Sequence, residues 1–400
     1  MKHSIADWAI FGGQPAFAAP IHVGQLCLPL WDGVEAAVRG IFERQWYANH
    51  GPLVHQLEQA FAEFIGVRHA IAVTNGTIAL MIMAKALDMV GEVIVPAFTF
   101  PATAQALSWA GLTPVFGDVD PGTHNLSAKA ARDLVTPRTR AILGVHLWGR
   151  ACDPTGLREL AQEFGLRLVY DACHAVACTH RGARIGGLGD VEAFSFHATK
   201  ILSATEGGCI TTNDDALAAR IRTIRSFHPG ETHAPVSLRI NGKMSEAQAA
   251  FALLSLADLP RNIERNRARY ETYRQGLAGL AGISLIAYPE QEANNHQYVV
   301  IEVDAEAAGL SRDDMLEVLQ AENVFCRRHF HPGAHRMPPF RDDPAYRCLD
   351  LPATEDLCRR LLLLPNGETV AEDDVRRVCA LLGDLIGQAT TVRQRLGGAP

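Results

Sequence analysis

Between residues 43 and about 257, short runs rich in β-branched residues alternate with stretches of helical spacing, and this alternation constrains the fold more than any other feature. It is the pattern of a mostly parallel sheet wrapped by helices. Seven strands are predicted, at 70–73, 92–95, 114–118, 141–146, 167–170, 191–196 and 208–212. Apolar spacing and caps predict helices between them at 77–87 after Asn75-Gly76, at 154–164 behind Asp153 and at 214–227 after Asn213. In such a sheet ligands lie beyond the carboxyl ends of the strands, so the residues there carry the most functional weight.

A charge-rich stretch, 258–274, has many arginines at helical spacing and predicts a long helix leaving this first unit. Beyond it, 297–303 and 324–327 read as strands, and 311–322 and 371–386 as helices. The expected organisation is an N-terminal segment (1–42), a large α/β domain with a seven-stranded sheet between helices (43–257) and a small C-terminal α+β domain (258–400). A chain of 400 residues, 48% of them hydrophobic, is long enough for two such cores. The tail after Thr391, with Gly397-Gly398, is expected to fray.

Composition narrows the partners. A formal charge of -7 and a pI near 6.1, with dispersed Lys and Arg, give no basic surface for a nucleic-acid backbone. Residues 1–8 lack a signal-peptide core, and no apolar run is long enough to span a bilayer, so a cytoplasmic protein is expected. Nine irregularly spaced cysteines then read as reduced thiols.

Two residues carry the chemistry. Asp171 closes the apolar run Leu168-Val169-Tyr170, which delivers a carboxylate to a strand's carboxyl end. By itself it could be a helix cap. Downstream, Lys200 follows the apolar Ala193-Phe194-Ser195-Phe196, too apolar for a surface edge, where burial is expected to favour a neutral amine. An amine for a Schiff base and a carboxylate for a pyridinium nitrogen are two parts of a pyridoxal 5'-phosphate (PLP) site.

Thr74-Asn75-Gly76-Thr77 joins a strand to a helix N-terminus, where backbone N–H groups favour a phosphate, although an ordinary cap reads equally well. Phe98-Thr99-Phe100 offers a ring to stack on a pyridine face, against a default of core packing. His174 could meet the cofactor's phenolic oxygen or be a structural histidine. Cys173, His174, Cys178 and His180 admit a zinc reading but lack paired-knuckle spacing, and the glycines from 182 to 189 lack a dinucleotide fingerprint. No metal is expected.

At these residues the chain resembles the DegT/DnrJ/EryC1/StrS family of sugar aminotransferases, PLP enzymes of fold type I, over nearly its whole length. The motifs that carry the resemblance occur in order: Gly51-Pro52-Leu53-Val54, Asn75-Gly76-Thr77, Val95-Pro96-Ala97-Phe98-Thr99-Phe100, Pro114-Val115, Thr136-Pro137-Arg138-Thr139, Val145-His146-Leu147-Trp148-Gly149, the Asp171 and Lys200 segments, and Asn241-Gly242-Lys243-Met244-Ser245-Glu246. The resemblance implies that Lys200 forms the imine with PLP, Asp171 pairs with the pyridine nitrogen, and Phe100 stacks on the ring. It implies that Gly76, Thr77 and Ser195 hold the phosphate. Asn241 would reach the phosphate of the neighbouring subunit, in a homodimer with shared active sites.

The chain departs from the family's usual residues at Asn75 (commonly Ser), at His174 (commonly Gln) and at Gly242-Lys243 (commonly Tyr-Arg). Within the family it looks most like enzymes that aminate nucleotide-linked 4-keto-6-deoxyhexoses, dTDP-linked ones in particular, with glutamate or glutamine as donor. Arg327, Arg328, His329 and His331 offer groups for a diphosphate or the donor's carboxylate. Two readings stand beside this one: an aminotransferase for a keto-cyclitol or another keto sugar, and a non-catalytic PLP-binding regulatory protein. The segment from His228 to Pro235 is a candidate for closing over substrate.

Overall fold

The computed structural model describes residues 2–24, 27–227 and 234–397; most of the 228–235 segment and Gly398 lie outside them. All seven expected strands form and share one sheet: β1 (His69–Val73), β2 (Glu92–Pro96), β3 (Thr113–Gly117), β4 (Thr139–Val145), β5 (Arg167–Asp171), β6 (Val191–Ser195) and β7 (Gly208–Thr212). Their order across the sheet is β1-β7-β6-β5-β4-β2-β3. Neighbours pair in parallel except at β7, which is antiparallel to both β1 and β6. Two reversals restore direction, so the other six strands all finish at one edge.

The strands are buried on both faces. Along β1, Ile71 and Val73 join one core with Ala79, Leu80 and Met83 of the helix α2 (Gly76–Ala86). Ala70 and Ala72 join another with Val54, Leu57 and Phe61 of α1 (Pro52–Ile65). A period of two with apolar residues at both phases is the signature of a strand between helix layers. The sheet is completed by α3 (Pro154–Phe164) and α4 (Asp215–Arg225), both close to their expected positions. Polar motif residues also hold the sheet: Glu92, buried at the start of β2, accepts hydrogen bonds from Thr136 Oγ1 (2.6 Å) and Arg138 Nε (2.8 Å).

The long helix starts earlier than expected. α5 runs Glu246–Gly276, through residues 257 and 258, because Ser245 and Gln248 cap each other's backbone in a capping box. Its first half is rich in Ala and Leu and lacks the charge that marked the second half.

Around the far end of α5, β8 (Ile283–Leu285), β9 (Val299–Val303) and β10 (Leu361–Leu364) form an antiparallel sheet, flanked by α6 (Arg312–Ala321) and α7 (Glu372–Gly387). The strands β8 and β10 were not expected. In β10, Leu362 and Leu364 face the small core while Leu361 and Leu363 face the large one, so four consecutive leucines show neither strand nor helix period. The N-terminal segment packs here too: Trp8 and Phe17 are buried in the small core. The carboxylate of Glu322 accepts from the N–H groups of Ala9 (2.7 Å) and Ala16 (2.6 Å) and pairs with Lys2 Nζ at 2.7 Å. Among the described residues no helix is long and apolar enough to cross a membrane.

Candidate active site

A cavity of about 450 Å³ opens at the shared carboxyl edge of the large sheet. Seven of the eight predicted site residues line it: Gly76, Thr77, Phe100, Asp171, His174, Ser195 and Lys200. The eighth, Asn241, does not; it is exposed, and its Oδ1 accepts from Lys243 Nζ at 2.5 Å.

The first turn of α2 forms one wall. Asn75 caps the helix by accepting from the N–H of Ile78 at 2.9 Å, and a helix leaves its first N–H groups without intrahelical partners. A Cβ on Gly76 would stand 2.8 Å from Ser195 Cβ and 3.3 Å from Cys173 Sγ, so glycine alone lets β6 and the turn after β5 approach this backbone.

Asp171, the last residue of β5, is 5% exposed. Its Oδ2 accepts from Thr103 Oγ1 (2.8 Å), which is joined to Thr99 Oγ1 (2.9 Å), and its Oδ1 accepts from the N–H of Cys173 (3.0 Å). The carboxylate is therefore fixed in rotation. Thr103 was missed from sequence, although its i, i+4 spacing from Thr99 across Pro101 is visible there.

Lys200 Nζ donates to Tyr298 Oη at 3.0 Å. Burial pushes the amine toward its neutral form, but the hydrogen bond to Tyr298 and the Asp171 carboxylate nearby act the other way, and the pKa stands above the usual lysine value. The expectation that burial leaves this amine neutral is thereby corrected. Burial, with Asp171 beside it, raises the Cys173 thiol well above its ordinary value, so it stays protonated.

His174 is buried against Trp148 (ring centroids 5.7 Å, 22°) and Tyr298 (4.5 Å, 49°), and among the described residues its Nδ1 has no hydrogen-bond partner. Burial, with Lys200 and His329 nearby, holds its pKa well below 6.5 and keeps the ring neutral. Phe100 lines the cavity mouth with 57% of its surface exposed.

Of the four later basic residues, Arg327 and His329 line the cavity. Burial and the charges of Lys200 and Arg327 lower His329 to about 3. Arg328 instead pairs with Asp313 (3.2 Å), and His331 does not reach the cavity wall. Trp148, stacked on Phe330 (5.7 Å, 8°), sits at φ 58°, an unusual conformation for a bulky residue and one that concentrates at functional sites. Cys173 and His174 line the main cavity while His180 lines a separate one, and among the described residues no three His, Cys, Asp or Glu side chains group as metal ligands.

A profile of the DegT/DnrJ/EryC1/StrS aminotransferase family matches residues 32–383. The chain belongs to that family. It is an aminotransferase by class, and the resemblance drawn from its motifs holds. The chain is 33% identical over 371 residues to a dTDP-4-amino-4,6-dideoxy-D-glucose transaminase of Shigella dysenteriae, covering 92% of this chain and 99% of that one. It is 35% identical over 365 residues to a GDP-perosamine synthase of Caulobacter vibrioides, covering 90% and 97%. Among solved structures, DesI in the presence of its TDP-sugar product superposes with a TM-score of 0.92 and 44% identity, over 98% of this chain and 100% of that one. The fold of the family member is accordingly the α/β fold type I of PLP aminotransferases.

Proposed function

We propose that the protein moves an amino group from glutamate or glutamine to the keto group of a nucleotide-linked sugar, a dTDP-4-keto-6-deoxyhexose, with PLP held in the cavity at the carboxyl edge of the large sheet. The observation that carries the reading is one cavity lined by a lysine amine, a rotationally fixed carboxylate and a glycine-lined helix N-terminus. Similarity to the TDP-sugar-bound DesI supports the substrate class.

The residues present fit the cofactor. The first turn of α2, brought against Ser195 by Gly76 and lining the cavity together with Thr77, suits a phosphate. The unpartnered Nδ1 of neutral His174 is a group for a ring substituent, and Asp171 is a carboxylate for the ring nitrogen. When bound, PLP supplies an aldehyde for the Lys200 amine and a ring that accepts the electron pair released when a neighbouring C–H bond breaks. Asp171, kept in place by Thr103, holds the proton on the ring nitrogen. Lys200, when its amine is free, moves a proton to or from the carbon that bears the transferred nitrogen. Across both halves of the reaction the donor's amine becomes a ketone and the sugar's ketone becomes an amine, so no external oxidant is needed.

Arg327 and His329 form the substrate side, a cation for a carboxylate or diphosphate beside a neutral ring. The protein acts as a homodimer. Its helix Trp31–Arg44 and the following turn expose Trp31, Phe42, Trp46 and Tyr47, each by at least 47%, which supports a covered apolar face. All nine cysteines are free thiols, in keeping with a reducing cytoplasm.

The deciding experiment adds PLP to purified protein, reduces it with borohydride and maps the labelled peptide, then follows the spectrum with glutamate, glutamine and a panel of dTDP-keto sugars and keto-cyclitols. Label on Lys200 and turnover with a dTDP-4-keto sugar are expected. Label elsewhere, or turnover only with a cyclitol, would overturn the assignment.

A further inference from the structure

Tyr298 stands outside every motif that identified the site, yet its hydroxyl is the hydrogen-bond partner of Lys200. The amine lies 3.0 Å from Oη and 5.7 Å from the ring centroid, so it meets the hydroxyl end of the side chain and not the π face. The ring has little freedom. It is 6% exposed, packs edge-on against Trp148 (5.2 Å, 69°) and touches His174, while the backbone carbonyl of Tyr298 accepts from Tyr288 Oη at 2.7 Å. A buried phenol needs a polar partner, and this one is aimed at the reacting nitrogen of the site.

We propose that Tyr298 is a further catalytic residue, whose hydroxyl accepts from the free Lys200 amine and steadies the ammonium each time that amine has taken up a proton from the reacting carbon. The inference rests on the assignment of Lys200 as the PLP lysine. An amine that must both give and take a proton works best when an acceptor stabilises its charged form without neutralising it, and a neutral phenol does this where a second carboxylate would form a fixed ion pair.

The other groups around the amine act differently. Asp171 and Cys173 approach from the end of β5, with the carboxylate engaged by Thr103. His174, His329 and Arg327 are either uncharged or repel a cation. Glu206 and His197, also in the cavity lining, lie 3.5 Å from one another and form their own pair. The lysine pKa is displaced upward against its burial, and the hydrogen bond to Tyr298 is among the causes.

The test is Tyr298→Phe, which removes the oxygen and keeps the packed ring. In the full chain stripped of cofactor, the pH dependence of Lys200 arylation by trinitrobenzenesulfonate, followed by peptide mapping, reads the amine directly. The midpoint is expected to fall by about one pH unit, the scale of a hydrogen bond to a charged group. In the loaded enzyme kcat is expected to fall about tenfold or more with the KM for the nucleotide sugar unchanged.

Tyr288→Phe is the control, because it loosens the backbone of residue 298 without touching the hydroxyl. It is expected to lower the melting temperature and leave the arylation midpoint in place. An unchanged midpoint in Tyr298→Phe, or an equal change in both variants, would overturn the proposal. Failure of borohydride to fix PLP on Lys200 in the wild type would instead remove the assignment on which it rests, so the two failures are distinguishable.

Discussion

Single side chains divide here into those that react and those that hold them. Lys200→Ala removes the amine and leaves the cradle at Gly76 intact, so fold and noncovalent cofactor should persist while turnover falls by at least about 10²–10⁴-fold; absorbance and a melting curve beside the rate check this. Asp171 separates charge from geometry. Asn in its place can still accept from Thr103, whereas Ala cannot, yet both lose the charge that keeps the ring nitrogen protonated. A loss of about 10²-fold or more in both variants, with Asn retaining the cofactor better than Ala, is the expected result of rate and equilibrium-binding measurements. A pH effect follows from His329. Its folded pKa of about 3 lies below its ordinary 6.5, so the unfolded chain takes up the proton first as pH falls. Stability is therefore greatest above pH 6.5 and declines from there toward pH 3, by at most about 1.4 kcal/mol per pH unit from this residue. Chemical denaturation from pH 7 to pH 5 should show the decline, and His329→Gln should make it shallower, the remainder coming from His50, His174 and His296, whose pKa values burial also lowers.

At the scale of elements, α5 links stability to the site. Its capping box joins Ser245 to Gln248, and Gln248 Nε2 also donates to the carbonyls of Glu206 (2.6 Å) and Thr74 (3.3 Å), two segments that border the cavity. Ser245→Ala should thus cost about 1 kcal/mol in denaturant melts and leave cofactor affinity nearly unchanged. Gln248→Ala should lower both. This coupling was not legible in the chain, and the reason is physical. The seven large-domain strands could be read because each is a short β-branched run with a clear turn, and Asp171, Lys200 and Gly76 because they stand at strand or helix ends. The run Leu361–Leu364 could not, because its two faces meet two different cores and the alternation that marks a strand is erased. Thr103 and Tyr298 reach the site from a helix and from the residue just before β9, through contacts 68 and 98 residues away in sequence that no local spacing encodes.

For the whole molecule the question is whether one chain completes its own site. Asn241 is exposed and does not line the cavity of its own chain, and apolar side chains of the Trp31–Arg44 helix are exposed as well. If the proposed dimer brings Asn241 to the partner's phosphate site, two inactive chains can repair each other. In a heterodimer of Lys200→Ala with Asn241→Ala, one site carries both defects. The other joins an intact Lys200 from one chain to an intact Asn241 from its partner. Random pairing of equal amounts makes half the dimers heterodimers, each with one working site of two, so about a quarter of wild-type activity should return after mixing through a dissociated state. A chain that completes its own site gives no such recovery, because every lysine-deficient site stays dead and every asparagine-deficient site keeps its own defect. Activity of each variant alone, of the mixture, and of the mixture held below the concentration at which sedimentation shows dissociation distinguishes the two arrangements.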